Sequence, residues 1–212
     1  MMWRLLKPFR ESLRTGLSKL YGEEQIDRLL ERLSLIAGRY NYLAENCSRE
    51  APCWNEKSCL LTTYGDMVAT DGEAPLITLR RFLSDYLAES ISGIHILPFF
   101  PYSSDDGFSI IDYRKVDRQF GTWEHVSRLG DDFHLMVDLV LNHVSIHSHW
   151  FQDYIGGIAP ARNYFIEMGP KEDLSAVIRP RTTPLLTPVN TTCGNRLVWT
   201  TFSSDQVDLN YS

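Results

Sequence analysis

Apolar residues recur along this chain with two different periods, and the change of period divides it. The first forty or so residues read as helix. Over residues 23–40, Ile26, Leu29, Leu30, Leu33, Ile36, Ala37 and Tyr40 return at three- and four-residue steps, while Arg28, Glu31, Arg32 and Arg39 take the other positions. That spacing predicts an amphipathic helix. Placed so early, it reads as an added N-terminal element rather than as core. Residues 44–57 are polar, include Pro52 and read as a linker loop.

From Ser58 onward the rhythm differs. Residues 59–64 are rich in β-formers and are closed by Gly65 and Asp66. Residues 76–87 place Leu79, Phe82, Leu83, Tyr86 and Leu87 on one helical face. Residues 93–98 and 135–141 are almost continuously apolar strands, with a helix expected over 123–129 between them. Such strands separated by helices indicate βαβ units and a parallel sheet covered on both faces. The order β-α-β-α-β follows, and pattern leaves open whether the sheet is open or closed. From 156 to about 201, Gly156, Gly157, Pro160, Gly169, Pro170, Pro180, Pro184 and Pro188 interrupt every long element. Roughly 45 residues exceed the about 2–6 of an ordinary βα connection, so a functional insertion or small subdomain is expected.

Composition narrows the picture. The 212 residues are 43% hydrophobic and 23% charged, enough for one or two packed domains. The 21 Lys and Arg against 27 Asp and Glu give a net charge of −6, without the basic stripe of a nucleic-acid binder. Apolar runs fall short of the roughly 18–20 residues of a membrane helix, and the basic N-terminus is not followed by a signal-peptide core. A soluble, cytoplasmic protein with no nucleic-acid or membrane partner is expected. Cys47, Cys53, Cys59 and Cys193 match neither zinc nor redox spacing and read as structural or incidental thiols.

Candidate chemistry lies after the strands, because parallel α/β folds bind ligands at the carboxyl ends of their strands. Residues 98–108 hold Phe99, Phe100, Tyr102, Asp105, Asp106, Gly107 and Phe108; after the third strand come Asn142 and His143. Aromatic faces beside carboxylate and imidazole suit a sugar, and the glycine signatures of nucleotide binding are missing. The competing readings are structural: Asp105 and Asp106 as turn acids, His143 as a packed histidine, and Phe99, Phe100, Tyr102 and Trp150 as wall and core. If a helix began after Asn142, His143 and His147 would share a face. His149 would then project about 200° from His147, so no metal site is expected.

These residues also carry a resemblance. Residues 107–113, with Val116-Asp117 and Phe120-Gly121-Thr122, are similar to the block after the second strand of the alpha-amylase family, glycoside hydrolase family 13. Residues 138–143 resemble that family's first conserved region, and residues 206–210 its region near the end of the inserted B domain. Within the family, residues 95–100, Arg179-Pro180-Arg181 and Leu197-Val198-Trp199 resemble sucrose phosphorylases and their relatives. Ile178, where sucrose phosphorylases carry a Tyr, and the continuation 181–187 resemble the glucosylglycerate and sucrose 6-phosphate phosphorylase branch.

The resemblance implies an α/β fold, the N-terminal part of a (β/α)8 TIM barrel with a B-domain insertion after the third strand. Its divisions would be an N-terminal helical extension and linker over 1–57, three β/α units over 58–155, the B domain over 156–205 and a return to the barrel over 206–212. It implies a retaining transfer of an α-glucosyl group to inorganic phosphate as co-substrate, with no cofactor and no metal. Asp105 and His143 would grip glucosyl hydroxyls, Phe108 and Phe202 would wall the ring, Gln206 would sit close by, and Asp138 and Asn142 would support the site from beneath. Arg179 and Arg181 offer forked donors suited to an anionic acceptor such as glycerate; otherwise they are solvated or paired with Glu167, Glu172 or Asp173. The family's catalytic carboxylates follow later strands, so none is expected within residues 1–212. The chain is expected to be an N-terminal portion of a disaccharide phosphorylase, inactive alone and completed by the remainder of the same barrel. A hydrolase of the same barrel and a non-catalytic sugar-binding remnant are the alternatives.

Overall fold

The structure is a computed structural model that describes residues 7–39, 55–56, 58–178 and 181–211. The chain divides into two units, Met1–Asn55 and Glu56–Ser212. In the first, α1 (Lys7–Leu17) and α2 (Glu23–Arg39) form a helical pair whose buried residues are Ile26 and Leu30. Arg14 pairs with Asp27 across the turn between them. Glu23 and Glu24 lie in the first turn of α2, where the helix dipole favours negative charge. Ile36, expected on the buried face, is 53% exposed. Six residues, about 9 Å of helix, separate the lengths of α1 (11 residues) and α2 (17 residues), so the far end of α2 outruns its partner. Tyr40 and most of the expected linker lie outside the described residues.

The second unit is built on a parallel sheet of β1 (Leu60–Thr63), β2 (Gly93–Ile96) and β3 (His134–Val137), in that order. Leu60, Gly93 and His134 stand in register at one end, Thr63, Ile96 and Val137 at the other. Between the strands run α3 (Pro75–Tyr86) and α4 (Trp123–Asp132). Pro75 starts α3 where a missing N–H costs nothing, and Thr122 with His125 forms a capping box on α4. Leu76, Leu79 and Leu83 of α3 and Val126 and Leu129 of α4 bury against Ile94 and Ile96 of β2. Period-two alternation therefore turns His95 to the opposite face, beside Thr62 and Met136. Both faces were expected to be covered. Helices α3 and α4 cover the Ile94 and Ile96 face, while Met136 on the other is 47% exposed.

The third strand was expected to run to residue 141 and stops at Val137. Its partner β2 ends at Ile96, followed by Leu97 and by Pro98, which has no N–H to offer a ladder, so residues 138–142 leave the sheet. β4 (His143–Ser145) then pairs antiparallel with β8 (Gln206–Asp208). His143 is thus in a strand rather than at the start of a helix, and α5 (His149–Ile155) begins only after Ser148, whose hydroxyl caps Phe151 N–H at 3.2 Å. Within 156–205 the breakers were expected to interrupt every long element, and the strands there are short, 2 to 6 residues. There β5 (Glu167–Met168), β7 (Gly194–Trp199) and β6 (Leu186–Thr191) form an antiparallel sheet in that order. Pro188 is tolerated because β6 is an edge strand. Among the described residues no helix is long and apolar enough to cross a membrane.

Candidate functional site

After β2 the chain folds back on itself: Tyr102 bridges Ile110, and Ser103 N–H donates to Ser109 O at 3.0 Å. The tip is a 3-10 turn, Asp105–Gly107, in which all three residues have positive φ: 57° and 49° at Asp105 and Asp106, 100° at Gly107. A Cβ at Gly107 would lie 2.7 Å from Pro98 O, so glycine is required there both for φ and for space. The turn presents Asp105 to Gln206 at the start of β8.

Gln206 is 1% exposed, and its amide is bonded at both ends. Its Nε2 donates to Asp105 Oδ2 at 2.9 Å, and Ser203 Oγ donates to its Oε1 at 2.9 Å. A carboxylate only accepts, so Asp105 sets which end of the amide is nitrogen. His143 Nε2 lies 3.0 Å from Phe108 O and 3.1 Å from Gln206 Nε2. Nε2 cannot both donate to the Phe108 carbonyl and accept from the Gln206 amide; with Nε2–H donating to Phe108 O, the Gln206 nitrogen is a close neighbour of the ring rather than its hydrogen-bond partner. Nδ1 then carries a lone pair, is buried and has no hydrogen-bond partner. The ring packs against Phe202 with centroids 4.9 Å apart. Burial lowers the His143 pKa, opposed by the Phe108 carbonyl and by Asp208 and Asp105. Asp208, opposite His143 in the β4–β8 register, has its pKa raised by burial against the Thr201 N–H that donates to it at 2.6 Å.

Asp105, His143, Gln206 and Phe202 therefore converge. Phe108 joins through its carbonyl, whereas its side chain packs against the α/β core. Asp106 is exposed in the turn. Asp138 was expected to be buried beneath the site. It is half-buried and accepts from His95 Nε2 at 3.0 Å, His95 Nδ1 in turn lying 3.4 Å from Thr62 Oγ1. The Asn142 side chain is exposed, and its carbonyl accepts from Leu209 N–H at 2.9 Å.

Arg179 lies outside the described residues. Arg181 is exposed and, among the described residues, pairs with none of Glu167, Glu172 and Asp173. Glu167 is held by Arg196 at 3.3 Å and Tyr154 at 2.8 Å. Thr183 Oγ1, two residues past Arg181, lies 3.4 Å from Phe202 O. Of the aromatics, Phe99 and Phe100 are core, while Trp150 is 41% exposed. His147 and His149 are exposed, and among the described residues no three His, Cys, Asp or Glu side chains gather as metal ligands. Cys59 and Cys193 are free and exposed; Cys47 and Cys53 lie outside the described residues.

Sequence reading missed Tyr64, at the carboxyl end of β1. Burial raises its hydroxyl pKa, and Asp106, Asp105, Asp138 and Asp66 add to the rise. Its place directly after a parallel strand was the available signal. Also missed were Asp205 and the serines around it, which carry no local sequence signal.

Residues 83–211 match the alpha-amylase catalytic domain. The glucosylglycerate phosphorylase of Allomeiothermus silvanus is 46% identical over 216 residues, covering 100% of this chain and 37% of the relative. That of Spirochaeta thermophila is 55% identical over 209 residues, covering 89% and 36%. Among solved structures, the sucrose 6F-phosphate phosphorylase from Thermoanaerobacter thermosaccharolyticum superposes with a TM-score of 0.65 at 30% identity, over 74% of this chain and 34% of that one. A trehalulose synthase superposes at 0.65 with 25% identity, over 76% and 31%. The chain spans about a third of the length of the curated relatives it matches. Its β/α units follow the N-terminal part of the barrel in these enzymes. With that match across more than half its length, and a sheet, turn and strand pair to go with it, the chain belongs to the alpha-amylase family.

Proposed function

We propose that residues 58–211 form one side of the glucosyl subsite of a retaining disaccharide phosphorylase whose acceptor is an anion such as glycerate. One observation carries this: the buried Gln206 amide holds Asp105 by a hydrogen bond and sets it beside His143, whose ring packs on Phe202. The exposed Asp105 carboxylate accepts from a sugar hydroxyl, His143 stands behind it with its buried Nδ1 unpartnered, and Phe202 meets the apolar face of the ring. Asp138 and Asn142 act as supports, and Phe108 contributes its carbonyl, which holds the His143 ring.

The nucleophile and the acid/base, about 5–5.5 Å apart for retention, come from outside residues 1–212. The nucleophile displaces the acceptor oxygen at the anomeric carbon while the acid protonates that oxygen. Inorganic phosphate then takes the glucosyl group and returns the proton to the base. No cofactor is needed. Residues 156–205 act as the B domain, from which Arg179 and Arg181 reach the acceptor's charge. Thr183 ties that loop to Phe202, which supports placing Arg181 near the site. The names of the relatives support phosphate and glucosylglycerate as the reacting pair. The acidic net charge supports a protein without nucleic-acid partners, and the ordinary cysteine usage supports a cytoplasmic setting.

The test is glucose 1-phosphate release from glucosylglycerate and inorganic phosphate. The chain alone is expected to be inert, and the chain mixed with the complementary remainder of the Allomeiothermus silvanus barrel to turn over. Turnover by the chain alone refutes the placement of the carboxylates. Free glucose formed equally without phosphate identifies a hydrolase instead.

A further inference from the structure

Three serine hydroxyls converge on one oxygen of Asp205. Ser103 and Ser104 donate to its Oδ2 at 2.5 Å each and Ser109 at 2.8 Å. The hydroxyl protons can all be assigned: Ser145 donates to Ser103 Oγ at 2.6 Å, and its own oxygen accepts His147 N–H at 3.0 Å. Ser109 and Ser145 are fully buried. The cluster gathers the approach to the acidic turn, its exit, strand β4 and the residue before Gln206.

The turn needs such a fastening. Asp105 and Asp106 both sit in the left-handed region, which favours glycine and which other residues hold only when the surroundings over-determine it. The backbone bonds that close the turn are few: Ser103 N–H to Ser109 O and Phe108 N–H to Asp105 O at 3.0 Å each, and Ser109 N–H to Ser104 O at 3.3 Å. Hydrogen bonds to a carboxylate are stronger than those between neutral groups, and here they grip both ends of the turn at once. The same residue is covalently next to Gln206, whose Nε2 meets Asp105. The length of the chain from Asp205 to Gln206 therefore sets where the amide finds the acid.

We propose that Asp205 is a positioning residue: its carboxylate clamps the turn at 103–109 in its strained form and so fixes Asp105 opposite Gln206 and His143. Its consequence for ligand binding rests on the sugar-site reading above; the clamp itself does not.

The experiment is residue-resolved amide exchange on the 212-residue chain and on Asp205→Asn, which keeps the shape but removes the charge. Exchange at Ser103, Phe108 and Ser109 is expected to speed up about tenfold or more, as loss of charge-assisted bonds implies, while amides of β2 and β7 stay within about twofold. Ser104→Ala, a milder variant that leaves the charge in place, is expected to shift the same three amides by a smaller factor. Adding Asp106→Gly to Asp205→Asn is expected to recover much of the protection, because glycine takes that φ without cost. Rescue of this kind does not follow from general destabilisation. Unchanged exchange in the turn, an equal loss in β2 and β7, or no recovery on adding Asp106→Gly overturns the proposal. Titration with D-glucose, read at the Gln206 side-chain amide and the His143 ring, separates the two readings. Absence of shifts beside the expected exchange pattern refutes the sugar site and leaves the clamp. Shifts that survive without that pattern refute the clamp and leave the sugar site.

Discussion

Replacing Gln206 by Glu puts a second carboxylate where an amide now bridges two groups. The Nε2 that meets Asp105 Oδ2 at 2.9 Å becomes an oxygen, so a donor is lost and a like charge gained. At an effective dielectric constant of about 20, two unit charges about 3 Å apart repel by about 5–6 kcal/mol. Asp105 is exposed, and water screens much of that, leaving a cost of about 2–3 kcal/mol at pH 7. The folded variant relieves the repulsion by holding an extra proton, shared among the new carboxylate, Asp105 and His143, whose Nε2 is 3.1 Å from the same amide. The folded state then binds more protons than the unfolded state at pH 7, so stability relative to wild type rises as pH falls. The gap should close by up to about 1.4 kcal/mol per pH unit. Gln206→Leu adds no charge and should cost only about 1 kcal/mol, with no such slope. Urea melts of the three proteins at pH 5, 6 and 7, followed by tryptophan fluorescence, measure both quantities. Equal stabilities of Gln206→Glu and wild type at pH 7, or a gap that ignores pH, would refute the orientation assigned to the Gln206 amide.

Leu79→Ala removes a buried contact between α3 and the sheet and is expected to cost about 3 kcal/mol, a fall in melting temperature of about 6–12 °C; a fall under 2 °C by calorimetry contradicts the packing described. His143 has its pKa lowered in the fold, so the unfolded chain takes up more protons between that lowered value and about 6.5. Its contribution is complete above that window and is lost as pH falls through it. Wild type should therefore lose more stability than His143→Gln between pH 7 and 5, and parallel curves in urea would refute this. The β3 edge ends in an exposed Val137, and Leu139 just beyond it is 72% exposed; together they should drive self-association. Sedimentation velocity should show smaller species for the doubly substituted Val137→Lys, Leu139→Lys chain, and identical size distributions would show that the edge is not the contact.

The periodicity of the chain determined which segments became helix and strand, and in which order. Leu79 and Leu83 repeat at helical spacing on a helix that buries them, and Ile94 and Ile96 alternate with His95 as a strand requires. Motif order also singled out Asp105, His143 and Gln206; His143 and Gln206 lie at opposite ends of the paired β4 and β8, while Asp105 sits in the turn beyond β2. Pairing was decided elsewhere. Whether β3 continues past Val137 depends on where β2 meets Pro98, and the β6–β7 hairpin forms despite Pro188 because its partner lies on the other side of that residue. The Asp205 cluster is the furthest from local pattern: its serines are as comfortable in water as in the interior, and Ser103 meets Asp205 across 102 positions of sequence. Hydrophobic period reports burial between near neighbours, since apolar side chains must leave water wherever they are. A hydroxyl becomes structural only when the fold brings it a carboxylate, and that meeting exists only in three dimensions.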